Sequence, residues 1–454
     1  MSLRKTSALT LRVLKATVLL GSAQMVNILA AILRTKFVAV WLGPSGVGLN
    51  SLLNTNISLI STATQLNIRD SSVREIAATR DADSDMAVAV IRRTCLLLGL
   101  FGTLLTAVFS PLLSYISFKN FDYTLSFVFL SPVMSFTAYT AGEFAVMQGF
   151  GRLKLMARTT AVSAATATAI AIPLFYFYRI DAIVPVIVLY SFVAALFCHL
   201  WRVKTVTQPP VTMRDIVCHG RRAIILGLYM TVSMLLTNVG QFVLAVYINR
   251  TGSIDAYGVY QAGFTLVNSY VGILFNALSL EYYPRLAEYA GRPFICRGLM
   301  LHELRLIVRM VGPLIVVFIF CSDWIVRLLY SSQFAGVLPY VDYAIIGALF
   351  RGVSLCFALR ILAEGDGRAY IFTETSSVIV GLVLNILGLH FYSYGGLGFS
   401  YVLWYGFYAL LTWAVCRRRY GLRLNASFLA LLLGAVALGF AALAIKKLIF
   451  WIAL

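Results

Sequence analysis

Residues 157–178 read ARTTAVSAATATAIAIPLFYFY, and residues 181–201 read DAIVPVIVLYSFVAALFCHLW. Only Arg179 and Ile180 separate the two runs. Each is as long as the roughly 20 apolar residues that a helix needs to cross the hydrocarbon of a bilayer. Neither alternates residue by residue, as a barrel strand would. The reading is two spanning helices joined by a tight turn. Working outward, the same pattern recurs at 14–41, 47–68, 88–114, 122–147, 222–247, 257–280, 305–329, 338–362, 370–392 and 396–416. A further apolar stretch runs from near Ala426 toward the C-terminus and is broken by Lys446 and Lys447.

Composition supports this reading. Of the 454 residues, 60% are hydrophobic and 12% are charged, whereas a soluble chain carries about 25% charged residues. A water-soluble core of this size could not absorb such a surplus. In lipid, every backbone group must be satisfied internally, which selects helices here. The expected fold is an all-α polytopic membrane protein of two pseudo-symmetric six-helix lobes around a central cavity. An extra hydrophobic segment follows them. The lobes are 1–202 and 222–419, a cytoplasmic linker around Gln208, Pro209 and Pro210 covers 203–221, and the extra segment is 420–454. The basic residues before the first apolar run do not make it a cleaved signal peptide, because the run continues too far.

The formal net charge is +19, and most of it is topological. One alternate set of loops holds Arg69, Arg74, Arg80, Arg92 and Arg93, then Arg152, Lys154 and Arg158, then Arg202, Lys204 and Arg214. Arg285, Arg292, Arg297 and Arg305 continue that set, which ends with Arg368 and Arg417, Arg418 and Arg419. The other set has little beyond Lys119, Arg179 and Arg250. The positive-inside rule makes the first set cytoplasmic, with the N-terminus. A single thirteenth span would put Lys446 and Lys447 outside, against that rule, so a hairpin or an interfacial helix is also open for the tail.

Polar residues inside the spans form stripes. Asn54, Ser58, Ser61 and Gln65 share one face of span two, and Gln261, Thr265, Asn268, Gly272 and Asn276 share one face of span eight. Gln24, Asn27 and Arg34 share a face of span one, and Thr231, Asn238 and Gln241 a face of span seven. These are the first two spans of each half, as expected if paired lobes wall a water-filled cleft. Interhelical glue is the competing reading.

Cations within spans are more telling, since an Arg or Lys at a helix centre costs about 2.5–3.5 kcal/mol. Arg34 and Lys36 lie in the outer half of span one, Arg351 near the middle of span ten and Arg360 toward its inner end. Snorkelling accounts for Lys36 or Arg360. Arg351 calls for a partner such as Asp342 or Glu374, or for an anionic ligand such as phosphate. Arg34 and Lys36 stand about 200° apart on a regular helix, so a straight helix presents only one of them to a cleft. The polar stripe favours Arg34. The acids Glu143, Asp342 and Glu374 lie near interfaces and read as solvated or paired carboxylates.

No catalytic constellation, phosphate-binding loop or cofactor motif is present. The seven cysteines and four histidines are dispersed, which gives no disulfide framework and no metal site. Neither a cofactor nor a nucleic-acid partner is expected.

Several stretches are familiar in order and spacing. Lys36-Phe-Val-Ala-Val-Trp-Leu-Gly-Pro-Ser-Gly-Val-Gly-Leu49 resembles the end of span one in Wzx-type lipid-linked oligosaccharide flippases. These form the polysaccharide transporter branch of the MATE-like (MOP) superfamily. Ser72-Val-Arg-Glu-Ile-Ala77, Met147-Gln-Gly-Phe150, Gly258-Val-Tyr-Gln-Ala262, Tyr283-Pro-Arg-Leu-Ala-Glu288, Leu329-Tyr-Ser-Ser-Gln-Phe334 and Tyr370-Ile-Phe-Thr-Glu374 resemble later landmarks. The resemblance is nearest to O-antigen and enterobacterial common antigen translocases. It implies a cationic cavity lined by spans one, two, seven and eight, and alternating access without catalysis. The implied cargo is an undecaprenyl-diphosphate-linked oligosaccharide moved to the periplasmic leaflet of the bacterial inner membrane. Membrane lipids, and polymerase and chain-length components of the same pathway, are the implied partners. By resemblance Lys36 and Arg351 fall where the relatives carry lysines, although Leu349-Phe350 stands where they tend to have Gly-Asp. The family match thus favours Lys36 and helical phase favours Arg34. Two alternatives are a cation-coupled multidrug antiporter, which should line its cleft with acids, and a membrane glycan polymerase, which should carry a sizeable external loop.

Overall fold

The computed structural model of the chain describes residues 2–78, 84–203, 213–422 and 424–452, and the side chains of 2–25 and 213–230, among others, lie outside that description. Among the described residues the secondary structure is helical, with no strand. The chain forms two compact units, one ending at Ile254 and the other beginning at Asp255.

In the first unit, α1 (Ser2–Gln65) contains both of the first two expected spans. They are divided at Gly43, whose φ of 69° and ψ of −166° fall in a region essentially reserved for glycine. Pro44 follows and cannot donate an N–H to the helix before it. After α2 (Ile68–Ala78) come α3 (Ser84–Val108) and α4 (Ser110–Phe118), which together make span three. Likewise α5 (Thr124–Leu130) and α6 (Pro132–Gly149) make span four. The opening pair of runs becomes α7 (Leu153–Tyr178) and α8 (Ile183–Leu200), joined by a 3-10 turn at Arg179–Ala182. Span seven is α9 (Met213–Thr251).

The faces of α3 show how lipid acts as solvent for this unit. Val88, Ile91 and Cys95 are buried, while Leu96, Leu100, Leu104 and Val108 recur every four residues on an exposed face. A helix apolar on both faces suits a hydrocarbon surround. Glu143 is buried and accepts two bonds from Arg92, at 2.7 and 2.9 Å. Arg92 Nη2 also donates to the Val203 carbonyl at 2.9 Å. This clamp ties α3, α6 and the chain after α8 together, beside a core of Ile68, Ile76, Ile91 and Val146.

The units divide one helix later than the 203–221 linker, of which residues 204–212 are outside the description. The reason is the packing of α9 on α1, α2, α3 and α4. Asn249 donates to the Ser117 carbonyl at 2.8 Å, and Arg250 donates to the Tyr115 carbonyl at 3.0 Å and to that of Ile116. These carbonyls lie in the last turn of α4, where a cation complements the helix dipole.

In the second unit, α10 (Ile254–Thr265), a π-helical turn at Leu266–Tyr270 and α11 (Val271–Glu288) make span eight. Then come α12 (Pro293–Leu329), a 3-10 turn at Ser332–Val337 and α13 (Leu338–Ala363). The residues of α13 are buried on nearly every side, which makes it the central post of this unit. Spans eleven and twelve are the two arms of α14 (Gly367–Tyr420), broken at Tyr392 and Ser393. The arms pack backbone to backbone at Gly388 and Gly396, where a Cβ on either would strike the other.

The tail is α15 (Ala426–Ile452), one continuous helix and not a hairpin. Its residues Ala426–Ile449 are long and apolar enough to cross a membrane. It packs on α12 and α13. Lys446, whose charge argued against a crossing, is neutralised by both oxygens of Asp342, each at 2.8 Å, and donates to Ser322 at 2.6 Å. Lys447 donates to the Tyr343 hydroxyl at 2.9 Å.

Candidate functional site

In the second unit a cavity of about 350 Å³ opens between α11, α13 and α14, with Arg351, Asn268, Glu374, Tyr370, Tyr405 and Tyr408 among its lining. Arg351 Nη1 donates to the Asn268 side-chain carbonyl at 2.7 Å. The Tyr401 hydroxyl donates to the same oxygen at 3.1 Å, and Asn268 Nδ2 donates to the Phe264 carbonyl at 3.1 Å. The guanidinium carbon lies 5.9 Å from the ring centres of both Phe275 and Tyr405. Asn268 sits in the π-helical turn, a local widening that often accompanies functional sites.

Neither carboxylate suggested for Arg351 is its partner. Asp342 is nine residues away on α13, about 13 Å along the axis, and it is bound to Lys446. Glu374 lines the same cavity but accepts from the Tyr408 hydroxyl. No described carboxylate forms an ion pair with Arg351. Its partners are neutral, so the positive charge stays available to the cavity. A guanidinium offers a planar fork of donors that matches phosphate oxygens. The tyrosines add hydroxyls and ring faces.

Of the span-eight stripe, Asn268 and Gly272 reach this cavity. Gln261 instead accepts from the Tyr257 hydroxyl at 3.4 Å, and the Asn276 side chain lies outside the described residues. The wall of tyrosines was not singled out from the sequence. Tyr401, Tyr405 and Tyr408 recur at i, i+4 and i+7, and that phase was the available signal.

The stripes of the first unit meet one another. Asn238 of α9 donates to Thr62 of α1 at 2.7 Å and accepts from Ser58 at 3.4 Å. Asn54 is exposed and bonds back to the Asn50 carbonyl at 2.7 Å; Gln241 is also exposed. Gln65 points elsewhere, donating to Thr137 of α6 at 2.8 Å, as interhelical glue does. Arg34 stacks on the Tyr190 ring of α8 at 4.4 Å, and Lys36 makes no ion pair among the described residues. Asn27 is half-buried, and the Gln24 side chain lies outside the described residues.

This is a multi-pass all-α membrane protein, and its fold is shared with transporters of the MOP superfamily. A multidrug resistance MATE family transporter of that superfamily, in an inward-facing conformation, is similar at a TM-score of 0.73 with 13% identity, over 89% of this chain and 98% of that one. The lipid II flippase MurJ, in an inward closed conformation, is similar at 0.67 with 12% identity, over 96% and 99% of the two chains. A MOP superfamily transporter from Pyrococcus furiosus is similar at 0.64 with 14% identity, over 90% and 96%. Residues 37–339 match the polysaccharide biosynthesis protein family, and the chain belongs to that family. No curated protein matches it by sequence.

Proposed function

We propose that the chain is a Wzx-type flippase. It carries an undecaprenyl-diphosphate-linked oligosaccharide from the cytoplasmic to the periplasmic leaflet of the bacterial inner membrane by alternating access, for O-antigen-like cell-surface polysaccharide. The N-terminus is cytoplasmic in this reading. The observation that carries the proposal is Arg351, a membrane-embedded cation held by a neutral amide in a cavity with a tyrosine wall. Membership of a polysaccharide biosynthesis family supports a glycan cargo.

A diphosphate cannot cross hydrocarbon bare, because an unpaired charge there is too costly. Arg351 would neutralise it within the second unit, and Arg34 and Lys36 of α1 are proposed as further cationic contacts of the cargo. At about 350 Å³ the cavity lies at the small end of ligand sites, which suits a diphosphate and the nearest sugar. The polyprenyl tail would stay in lipid. Exposed amides such as Asn54 and Gln241 would meet the sugars, and Asn238 and Gln261 would do so only by exchanging their present partners.

The test is a deletion strain complemented with variants. Loss of the protein should leave untranslocated lipid-linked repeat units on the cytoplasmic face. A glycan polymerase would instead leave single repeat units delivered to the periplasm. Arg351→Ala should block export at normal protein level, and Arg351→Lys should retain part of it. Full export in Arg34→Ala, Lys36→Ala, Arg351→Ala and their combination would defeat the proposal.

A further inference from the structure

The second unit holds another pocket, separate from the Arg351 cavity. Its volume is about 240 Å³, and Pro293, Phe294, Arg297, Met300, Arg360 and Tyr420 are in its wall. Arg360 is its chemical centre and is only 3% exposed. Glu364 pairs with Nη2, and the same carboxylate oxygen accepts the Gly291 backbone N–H at 3.4 Å. The Tyr420 ring lies 5.4 Å from the guanidinium carbon. Nη1 is buried without a hydrogen-bond partner among the described residues. A buried donor left unmade is costly, so its retention asks for a ligand.

Two further donors converge on this wall. Among the described residues Arg297 makes only a long bond, to Asn425 at 3.4 Å. The helix α12 begins at Pro293 with no side-chain cap. Phe294, in the first turn where backbone N–H groups lack helical partners, lines the pocket at the positive end of the helix dipole. Arginines outnumber acids here: Arg297 and Arg360 face Glu364, Arg417, Arg418 and Arg419 lie in the last turn of α14, and the second acid, Asp366, is bound to Arg419 and Tyr420.

The location points to lipid. The 37 residues of α12 span about 55 Å, well beyond the hydrocarbon core of about 30 Å. Its charged first turns therefore stand in the headgroup layer. At the pocket lip Phe294 is 87% exposed, as an apolar ring is when acyl chains cover it. The pocket volume equals roughly eight waters of about 30 Å³ each. That accommodates a phosphate and a glycerol, not a sugar chain.

We propose that this pocket binds the phosphate of an anionic membrane lipid. Arg360 Nη1 and Arg297 donate to the phosphate oxygens, Glu364 holds Arg360 in place, and Phe294 rests against the acyl boundary. The assignment does not depend on the flippase reading.

The test uses the purified full chain in detergent, titrated with phosphatidylglycerol, phosphatidylcholine or inorganic phosphate. Thermal unfolding and native mass spectrometry provide the readouts. Phosphatidylglycerol should raise Tm by several degrees and leave one tightly retained lipid, while the other two probes should not. Arg297→Gln should weaken that binding about tenfold, the worth of one charge-assisted hydrogen bond. Arg360→Lys keeps the ion pair but loses the second prong, and should do the same. Phe294→Ala is at an exposed position, so it is expected to fold, and it should reduce lipid retention. Paired with Arg297→Gln it carries the test if Arg360→Lys does not fold. An equal shift with phosphatidylcholine, an equal shift with inorganic phosphate, or unchanged retention in the Phe294→Ala, Arg297→Gln double variant would each overturn the assignment.

Discussion

Arg351 and Arg360 stand nine residues apart on α13 and meet burial in opposite ways. Arg360 takes a carboxylate, Glu364, one turn away. Arg351 takes an amide oxygen, which orients the guanidinium without cancelling its charge. Asp366 shows a third arrangement, outside the membrane. It caps α14 by accepting the Ala369 N–H at 3.1 Å, and it also holds Arg419 and Tyr420. Burial pushes its carboxyl up, but the Ala369 N–H and Arg419 outweigh that and hold it below its ordinary 3.8. A depressed carboxyl contributes stability that is complete above its unfolded value and lost as pH falls through its folded one. Asp366→Ala should therefore cost about 0.5–2 kcal/mol at neutral pH. The gap from wild type should narrow below about pH 4, as thermal unfolding at several pH values would show. Arg351, Asn268 and Gly272 were legible in the sequence because a polar side chain or gap in a span stands out against its apolar surround. The tyrosines were not, because an aromatic in lipid looks the same whether it faces a cavity or a neighbour.

Helices were legible as elements wherever an apolar run ended at a charge or a glycine. The breaks in α1 at Gly43 and in α14 at Ser393 fall between the spans expected at 14–41 and 47–68, and at 370–392 and 396–416. The π-helical turn at Asn268 left no such mark, since one extra residue in a turn changes no periodicity that a short stretch could reveal. The fate of the tail was equally hidden: it depends on Asp342, more than a hundred residues earlier. Removing one partner of a buried pair leaves the other charge uncompensated, at about 3–5 kcal/mol. Lys446→Ala and Asp342→Ala should each lower the unfolding temperature. Lys446→Met combined with Asp342→Leu should recover most of the loss, and additive losses in the double variant would contradict the pairing.

Across the whole molecule the +19 charge is divided by use. Most of it sits in alternate loops. Arg351 is embedded without a carboxylate partner among the described residues, whereas the embedded Arg360 and Lys446 are offset by Glu364 and Asp342. The grouping of α9 with the first unit was not legible, because loop charge and span count say nothing about which helices hydrogen-bond to which. If α15 crosses the bilayer as its length and apolarity allow, the chain ends on the side opposite its start. Reporter fusions after Arg418 and after Ile452 should then report opposite compartments, with the Arg418 fusion cytoplasmic. The same compartment for both would show that α15 lies along the surface.

The Lys446–Asp342 pair also bears on how the protein is made. Asp342 leaves the ribosome 104 residues ahead of its lysine, with Ser322 as its one earlier partner in the finished contact. For that interval the acid lacks the cation that neutralises it in the finished fold, and an uncompensated buried charge costs about 3–5 kcal/mol. Insertion of α15 brings Lys446 to that carboxylate and closes the pair. A chain truncated before Lys446 should therefore turn over faster in the membrane than the full chain, as a pulse-chase comparison of the two would show.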